Sequence, residues 1–260
     1  MSRPAPLDWW RRRRLAKAHA AIPAARWPAA FAALPLLQGL DAAQQARLRD
    51  LTALFLQQKT LEPVQGARLN ERMALELALQ ATLPVLALGL DWYRGWHALI
   101  LYPDEFVPAR EVVDADGLVW IDDEPKSGEA WEIGPVILSL ADAAAGRARD
   151  GYNVVIHEMA HKLDLRDGAA NGHPPLHRGM SDAGWAADLG AAYEDLCRRA
   201  AADPDGDLPL DPYACESPAE FFAVASEAFF ELPRSLAAAY PRVYAQLCAF
   251  YRQDPGQRLA

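Results

Sequence analysis

The sequence is poor in cysteine, carries no excess of basic residues and contains no long uninterrupted apolar run. Its three cysteines, Cys197, Cys215 and Cys248, are odd in number and far apart, which favours neither a disulfide framework nor a Cys-x-x-Cys metal site. They are compatible with a reducing compartment. A formal net charge of −9 argues against direct binding of nucleic acid, because domains with that function are usually basic.

No segment has the pattern of a membrane anchor or of a secretory signal. The longest apolar run, residues 81–90, has about half the length of a bilayer-spanning helix and contains Pro84. Near the N-terminus, Trp9 and Trp10 precede four arginines, but charged residues and prolines interrupt the apolar stretch that a signal peptide needs. We therefore expect a cytoplasmic protein without a transmembrane segment.

The first forty residues differ in pattern from the rest. We expect residues 1–40 to form a partly flexible N-terminal segment, with the cluster from Trp9 to Arg14 in solvent, although this cluster could also touch an anionic membrane surface or a partner. Residues 41–260 should form one folded domain, since the apolar share of 52% is enough for a sizeable core and no clean linker interrupts them.

Apolar spacing predicts helices at both ends of this domain and a small sheet between them. Asp41 and Gln44 are placed like a capping box, and Asn70 and Pro84 bracket a second helix. The predicted strands are residues 98–102, 118–121 and 133–140, and the later helices are residues 182–201, 218–231 and 234–252, the last interrupted at 240–241. This order predicts a single α+β domain.

The most informative stretch is a His-Glu-x-x-His motif on an apolar helix, residues 154–164. Residues four apart lie on one face of a helix, so His157 and His161 can present two imidazole nitrogens to one metal ion. Glu158 is turned about 100° away, which suits a general base acting on water rather than a ligand. So short a motif also occurs by chance, but polar groups on a buried apolar helix need partners, and a metal ion would supply one.

Two histidines are only part of a zinc site, and the spacing does not identify the third ligand. Glu220 and Glu227 are seven residues apart and therefore lie on nearly one face of their helix. Glu220 has an alternative role as the capping-box residue that follows Ser217 and Pro218. The downstream acids and histidines that remain open are Asp164, His173, His177, Glu216, Glu220 and Glu227, of which the two histidines read more readily as surface residues.

The strand before the motif helix, within residues 131–140, is a candidate for substrate binding. In metallopeptidases of this general kind, such a strand lies at the sheet edge and pairs with an extended peptide through its main chain. An interior strand with no free edge would give the same apolar pattern, so both positions remain open.

Several stretches carry a family resemblance. Residues 151–164, the loop 167–172, residues 211–227 and residues 127–132 resemble the bacterial Mlc titration factor A family of zinc metallopeptidases, and the similarity runs from about residue 50 to residue 255. The resemblance implies one zinc ion held by His157, His161 and Glu220, with Glu158 as general base. It also implies that Tyr213 assists catalysis, a role for which a phenol could donate a hydrogen bond to the developing oxyanion.

The same resemblance sets expectations for fold and function. It implies a zincin-like domain similar to the catalytic domain of anthrax lethal factor, a cytoplasmic location, aminopeptidase-like activity on peptide substrates and binding to the glucose repressor Mlc. The alternative is a repressor-binding regulatory module in which zinc is mainly structural. The presence of Glu158 favours the peptidase, because a purely structural zinc site has no use for a general base.

Overall fold

The computed structural model describes residues 6–104, 110–113, 119–122, 128–130, 134–204 and 206–259. Its helices are α1 (Pro6–Ala20), α2 (Arg26–Ala32), α3 (Ala42–Gln58), α4 (Glu71–Thr82), α5 (Leu140–Ala145), α6 (Val154–Asp164), α7 (Asp182–Ala202), α8 (Pro218–Glu231), α9 (Pro233–Ala239), α10 (Pro241–Tyr251) and α11 (Pro255–Arg258). Its strands are β1 (Thr60–Pro63), β2 (Ala98–Tyr102), β3 (Arg110–Val113), β4 (Val119–Asp122), β5 (Gly128–Ala130) and β6 (Val136–Ser139).

Local capping explains where the predicted helices begin. The Asp41 side chain accepts a hydrogen bond from the Gln44 N–H at 2.8 Å, and the Gln44 side chain accepts one from the Asp41 N–H at 3.0 Å. This reciprocal pair satisfies two N–H groups that the first turn of α3 leaves without helical partners. At the start of α4, the Asn70 side chain accepts the Met73 N–H at 2.9 Å as a simple N-cap. The helices predicted after Asp41 and Asn70 are therefore confirmed.

The later helices also follow the sequence pattern. Helices α7 and α8 match the two predicted segments to within one residue, and α9 and α10 are separated at Tyr240 as expected. A proline occupies the first turn of α8, α9 and α10, where its missing N–H costs no hydrogen bond. The helix-rich chain with a small sheet agrees with the predicted α+β class.

Four strands form the main sheet in the order β1-β2-β6-β5. Strands β1, β2 and β6 run parallel, and β5 runs antiparallel to β6. Strands β3 and β4 pair with each other in a separate two-stranded sheet. The core-facing side chains of the central strands, Leu99, Leu101, Val136 and Leu138, are fully buried, so the main sheet forms one wall of the core.

The prediction of an edge strand within residues 131–140 is wrong for the part that the structure describes. Strand β6 pairs with β2 on one side and with β5 on the other, so it is an interior strand. Residues 131–133 lie outside the described residues, and Leu140 already belongs to α5. The reason is that β5 pairs with the side of β6 that would otherwise be free. Strand β5 has only three residues, which are too few to show a strand pattern in the sequence.

Helix α6 packs against the sheet through β5 and β6 and against α4 and α8 on its other sides. Its apolar residues Val155, Ile156, Met159 and Ala160 have no solvent exposure, which confirms a buried central helix. Because α6 is covered on several sides, its polar side chains must find partners within the protein.

The first forty residues contribute to this core. Trp27, Leu34 and Leu36 are buried within the same cluster as residues of α3 and α4. Helix α1 lies against α3 and buries Ala18, while Trp9 and Trp10 at its start are 46% and 63% exposed. Across the described residues, no helix combines the length and the apolar character needed to cross a membrane.

Candidate metal centre

Helix α6 sets the positions of both histidines. The Asn153 side chain accepts the Ile156 N–H at 3.0 Å and caps the helix, so regular geometry begins at Val154, three residues before His157. One helical turn separates His157 from His161, and their Nε2 atoms lie 3.1 Å apart. The predicted pairing of the two imidazoles on one face of α6 is therefore observed.

Glu220 approaches the histidines from helix α8. The Ser217 hydroxyl accepts the Glu220 N–H at 3.2 Å, as expected for an N-cap. The Glu220 side chain does not need to cap the helix and turns toward the histidines. Its Oε2 lies 3.0 Å from His157 Nε2 and 3.3 Å from His161 Nε2.

These three atoms form what we call the donor triangle: His157 Nε2, His161 Nε2 and Glu220 Oε2, with sides of 3.0, 3.1 and 3.3 Å. Ligand atoms at zinc lie about 2.0–2.2 Å from the ion, so two ligands of a tetrahedral site are separated by about 3.3 Å. The donor triangle therefore has the dimensions of one face of a zinc tetrahedron. Two imidazoles and one carboxylate are also an established donor set for catalytic zinc.

Hydrogen bonding shifts the pKa values within the donor triangle. Burial acts to lower the pKa of His157, but hydrogen bonds to Glu220 and Glu227 and the nearby charge of Glu158 raise it well above its usual value. Burial acts to raise the pKa of Glu220, but hydrogen bonds from His157 and His161 lower it well below the usual range. Metal binding at this triangle would require lone pairs free of protons on the donor atoms, so metal affinity should depend on pH.

Glu227, the alternative third ligand on α8, lies on the other side of His157. Its Oε1 is 2.8 Å from His157 Nδ1, whereas the donor triangle is built on Nε2. The two nitrogens of an imidazole point in different directions. A metal ion bound to His157 Nε2 would therefore lie near Glu220, on the other side of the ring from Glu227. Glu216 is exposed at the end of the turn before α8.

The remaining predicted acid, Asp164, holds a loop in place. Its Oδ2 accepts the Gly172 N–H at 2.7 Å, and Trp185 Nε1 donates to the Gly172 carbonyl at 2.9 Å. A Cβ at Gly172 would lie 2.2 Å from the Pro218 carbonyl oxygen, and φ at Gly172 is +75°. Only glycine fits this close approach, which brings the loop against the first turn of α8 and thus helps to place Glu220.

The two downstream histidines have other contacts. His177 Nε2 lies 2.7 Å from the Phe250 carbonyl oxygen, and its ring stacks on the Phe250 ring. His173 Nε2 is 3.6 Å from a carboxylate oxygen of Asp182. Among the described residues, the group of acids, cysteines and histidines arranged to hold a metal ion is His157, His161 and Glu220.

The two predicted catalytic residues lie next to His157. Glu158 follows His157 on α6 and is buried, with 3% of its surface exposed. Tyr213 belongs to a 3-10 turn, Pro212–Cys215, which Asp211 caps by accepting the Tyr213 N–H at 2.8 Å. The Tyr213 ring centroid is 6.0 Å from that of His157, and Tyr213 is 44% exposed. The site is therefore open to solvent on the side of Tyr213 and closed on the side of Glu158.

Lys162 is a buried charge that the sequence analysis did not single out. It follows His161 on α6, and its Nζ donates to the Gly134 carbonyl at 3.0 Å, just before β6. Burial lowers the pKa of Lys162 to about 8, against the opposing charge of Glu158. The sequence signal for Lys162 was its place on a helix with many apolar residues, which indicates that its charge has a partner but does not identify that partner. The contact ties the motif helix to the sheet.

Comparison with known proteins agrees with this geometry. A family described as "Glucose-regulated metallo-peptidase M90" matches residues 7–252. The chain is 42% identical over 240 residues to Mlc titration factor A of Cronobacter sakazakii, covering 92% of this chain and 90% of the relative. It is 41% identical over 227 residues to the proteins of that name from Salmonella arizonae and Salmonella typhi, covering 87% of this chain and 90% and 86% of those relatives. The chain therefore belongs to the glucose-regulated metallopeptidase M90 family, as a member of the Mlc titration factor A group.

Proposed function

We propose that this protein is a zinc-dependent peptidase of aminopeptidase-like activity. The observation that carries the proposal is the donor triangle with Glu158 directly after its first histidine. Membership of a metallopeptidase family implies a divalent metal ion, and the nitrogen and oxygen donors at these distances suit zinc. In this proposal His157, His161 and Glu220 hold the ion, and Glu158 and Tyr213 act on the substrate.

Zinc, when bound, would polarise the scissile carbonyl and make a water molecule more acidic. Glu158 takes a proton from the attacking water and passes it to the nitrogen of the leaving amine as the C–N bond breaks. Its position favours this role, because Glu158 directly follows the first histidine of the donor triangle on α6. Tyr213 donates a hydrogen bond to the carbonyl oxygen while negative charge develops there.

The sheet offers an edge for the peptide in this proposal. Within the described residues, β5 has one neighbouring strand, β6, so the other side of its main chain is available for pairing. Helix α6 packs against β5, which keeps the edge close to the donor triangle. Binding of a peptide-like inhibitor with a zinc-binding group should slow amide hydrogen exchange in Gly128–Ala130, and protection confined to other segments would contradict this assignment.

A second function is favoured by the name of the relatives, Mlc titration factor A. We propose that the protein also binds an Mlc-type transcriptional repressor, as a cytoplasmic regulator of glucose uptake. In the alternative form of this proposal, repressor binding is the main function and zinc is mainly structural. A fold similar to the catalytic domain of anthrax lethal factor is part of the peptidase proposal.

The substitution Glu158→Gln separates the two functions. It keeps the size of the side chain and removes the base, so turnover of aminoacyl reporter peptides should fall by about 10²–10⁴-fold while zinc content stays at one per chain. Binding to the repressor, measured by titration calorimetry, should be unchanged. Zinc must be quantified on each sample, because partial metal loss would imitate a catalytic defect.

Full peptidase activity of Glu158→Gln at full zinc occupancy would remove Glu158 as the base. Repressor binding would then become the better-supported main function. Wild-type protein that neither binds zinc nor cleaves any reporter peptide would overturn the peptidase proposal altogether.

A further inference from the structure

The two ring nitrogens of His157 have different partners. Nε2 belongs to the donor triangle, and Nδ1 lies 2.8 Å from Glu227 Oε1. A carboxylate at Nδ1 keeps the proton on that nitrogen, so the lone pair of Nε2 remains directed at the donor triangle. It also increases the basicity of the ring and fixes its rotation. Glu227 is thus placed to act on His157 without touching a metal ion.

Glu227 is itself held by the start of helix α6. Its second oxygen, Oε2, accepts a hydrogen bond from the main-chain N–H of Asn153, the N-cap residue of α6. The same carboxylate therefore contacts the N-cap residue of the motif helix and the histidine four residues later. The start of α6 is therefore linked to the His157 ring through Glu227, in addition to the main-chain bond from the His157 N–H to the Asn153 carbonyl at 2.9 Å.

The side chain of Asn153 extends the arrangement to a further buried acid. Its Nδ2 donates to Glu231 Oε1 at 2.9 Å and to Gln80 Oε1 at 2.9 Å, and it lies 3.3 Å from the Gly146 carbonyl oxygen. Glu231 is one turn beyond Glu227 on α8 and also accepts the Gly151 N–H at 3.3 Å. We refer to Glu227, Asn153, Glu231 and Gln80 as the cap network.

The cap network is almost completely removed from water. Asn153 and Glu231 have no exposed surface, Gln80 has 1% and Glu227 has 2%. Two acids and two amides in such an environment are unfavourable unless their hydrogen bonds are satisfied in one arrangement. The network therefore has a defined geometry, and the position of His157 Nδ1 is part of that geometry.

From this arrangement we propose that Glu227 is a positioning residue that orients His157 for metal binding, and that Asn153 and Glu231 fix Glu227 in turn. The inference rests on the proposed function, because it concerns the same metal site. It adds residues that lie outside the donor triangle and that do not touch substrate.

The first test measures zinc affinity by competition with a chromophoric chelator. Glu227→Ala should weaken zinc binding by about 10–100-fold, as is usual when the carboxylate partner of a ligating histidine is lost. Glu227→Gln should give a smaller loss than Glu227→Ala, because the amide oxygen of Gln can still accept a hydrogen bond from one of the two donors, the Asn153 N–H or the His157 Nδ1–H. The matched control is Glu76→Gln, which also changes a buried carboxylate, 2% exposed, but one that contacts Arg72 and Arg147. This control should leave zinc affinity unchanged.

Cobalt supplies a readout that general destabilisation would not move. The visible spectrum of the Co²⁺-loaded protein depends on ligand geometry, so it should shift in Glu227→Ala and remain unchanged in Glu76→Gln. Both spectra are recorded at full occupancy and well below the unfolding temperature of each variant.

A second variant tests the network without altering Glu227. A Cβ at Gly146 would lie 2.7 Å from Asn153 Nδ2 and 2.8 Å from Gln80 Oε1, so Gly146→Ala should displace the Asn153 amide. It should weaken zinc binding in the same direction as Glu227→Ala but less. The two effects should be less than additive when the substitutions are combined, because both act through one carboxylate.

The possible results separate the two proposals. Tight zinc binding by the wild type and by Glu227→Ala alike, with identical cobalt spectra, would overturn the positioning role and leave the peptidase proposal intact. Full additivity of Gly146→Ala and Glu227→Ala would overturn the part assigned to Asn153. Wild-type protein that binds neither zinc nor cobalt would overturn the proposed function and this inference together.

Discussion

Helix α8 contacts His157 through two of its turns, and these turns provide very different surroundings. At its start, Glu220 reaches Nε2 with a side chain that is 20% exposed, in the neighbourhood of the exposed Tyr213. Two turns later, Glu227 reaches Nδ1 with a side chain that is 3% exposed. The same residue type on one helix therefore faces solvent at one end of the imidazole and the closed interior at the other.

This difference shows how one helix can serve two requirements. A metal site that acts on a peptide needs access from solvent, so its donors cannot all be covered. A histidine that must keep a fixed orientation needs partners that water does not displace, and these are buried. We expect substitutions at the open end to affect metal binding and turnover directly. Substitutions at the closed end should weaken metal binding only through the orientation of His157, and should also change stability and its pH dependence.

The largest effect is expected at the donor triangle. Replacing His157, His161 or Glu220 with Ala removes one of the three proposed ligands, so each variant should lose stoichiometric zinc after dialysis against a weak chelator, as measured by atomic absorption. Ser217→Ala is the control, because it removes the N-cap of the same turn and leaves all three donors. It should cost about 1 kcal/mol in the free energy of unfolding and retain one zinc per chain.

Retention of one tightly bound zinc by both histidine variants would disprove the assigned site. Loss of zinc in Glu227→Ala combined with full retention in Glu220→Ala would instead assign the third ligand to Glu227 and leave Glu220 as a capping residue of α8.

A smaller effect is expected from Tyr213→Phe. The metal remains to polarise the carbonyl when one hydrogen-bond donor is lost, so turnover on zinc-loaded protein should fall by about 10–10³-fold. Tyr244→Phe provides the control, because the Tyr244 hydroxyl donates to Asp254, the N-cap residue of α11. Equal turnover in Tyr213→Phe and wild type would leave Tyr213 as a packing residue at the entrance of α8.

The smallest effect concerns the closed end and depends on pH. Burial raises the pKa of Glu231 to about 7, with added contributions from the charges of Asp150 and Glu227 and against hydrogen bonds from Asn153 and Gly151. The folded state therefore keeps the Glu231 proton to a higher pH than the unfolded state, where the pKa is about 4.5. The stability due to this proton is complete below about pH 4.5 and is lost as the pH rises through about 7.

Glu231→Gln should remove this contribution. Between pH 5 and pH 8, the free energy of unfolding of the metal-free protein should fall by about 2–3 kcal/mol more in the wild type than in the variant, since one pKa unit corresponds to about 1.4 kcal/mol. Urea unfolding at several pH values measures the difference. Parallel pH profiles for the two proteins would show that Glu231 does not titrate in this range.

The sequence alone predicted those parts of the molecule that depend on neighbouring residues. Capping by Asp41, Asn70 and Ser217 involves atoms within three residues, so the starts of α3, α4 and α8 could be read directly. The face shared by His157 and His161 follows from helix geometry alone. Such features need no knowledge of the tertiary fold.

Features that depend on distant segments could not be read in this way. Glu220 and Glu227 are equally spaced for one face of α8, and only the packing of α8 against α6 directs one to Nε2 and the other to Nδ1. The interior position of β6 depends on β5, which is too short to give a pattern. The cap network joins Gln80, Asn153 and Glu231, which are too far apart along the chain for a local sequence pattern to predict their contact.

The distance in sequence between the donors bears on how the protein is made. His157 and Glu220 are 63 residues apart, and Asn153 and Glu227 are 74 apart. At a synthesis rate of about 5–20 residues per second, the two histidines leave the ribosome several seconds before the helix that supplies the third donor and orients the first. A nascent chain that has reached only α6 therefore holds an incomplete set of ligands. In the proposed site, binding of a metal ion by all three donors therefore has to follow synthesis of α8, and a chain truncated before Pro218 would carry the motif without Glu220.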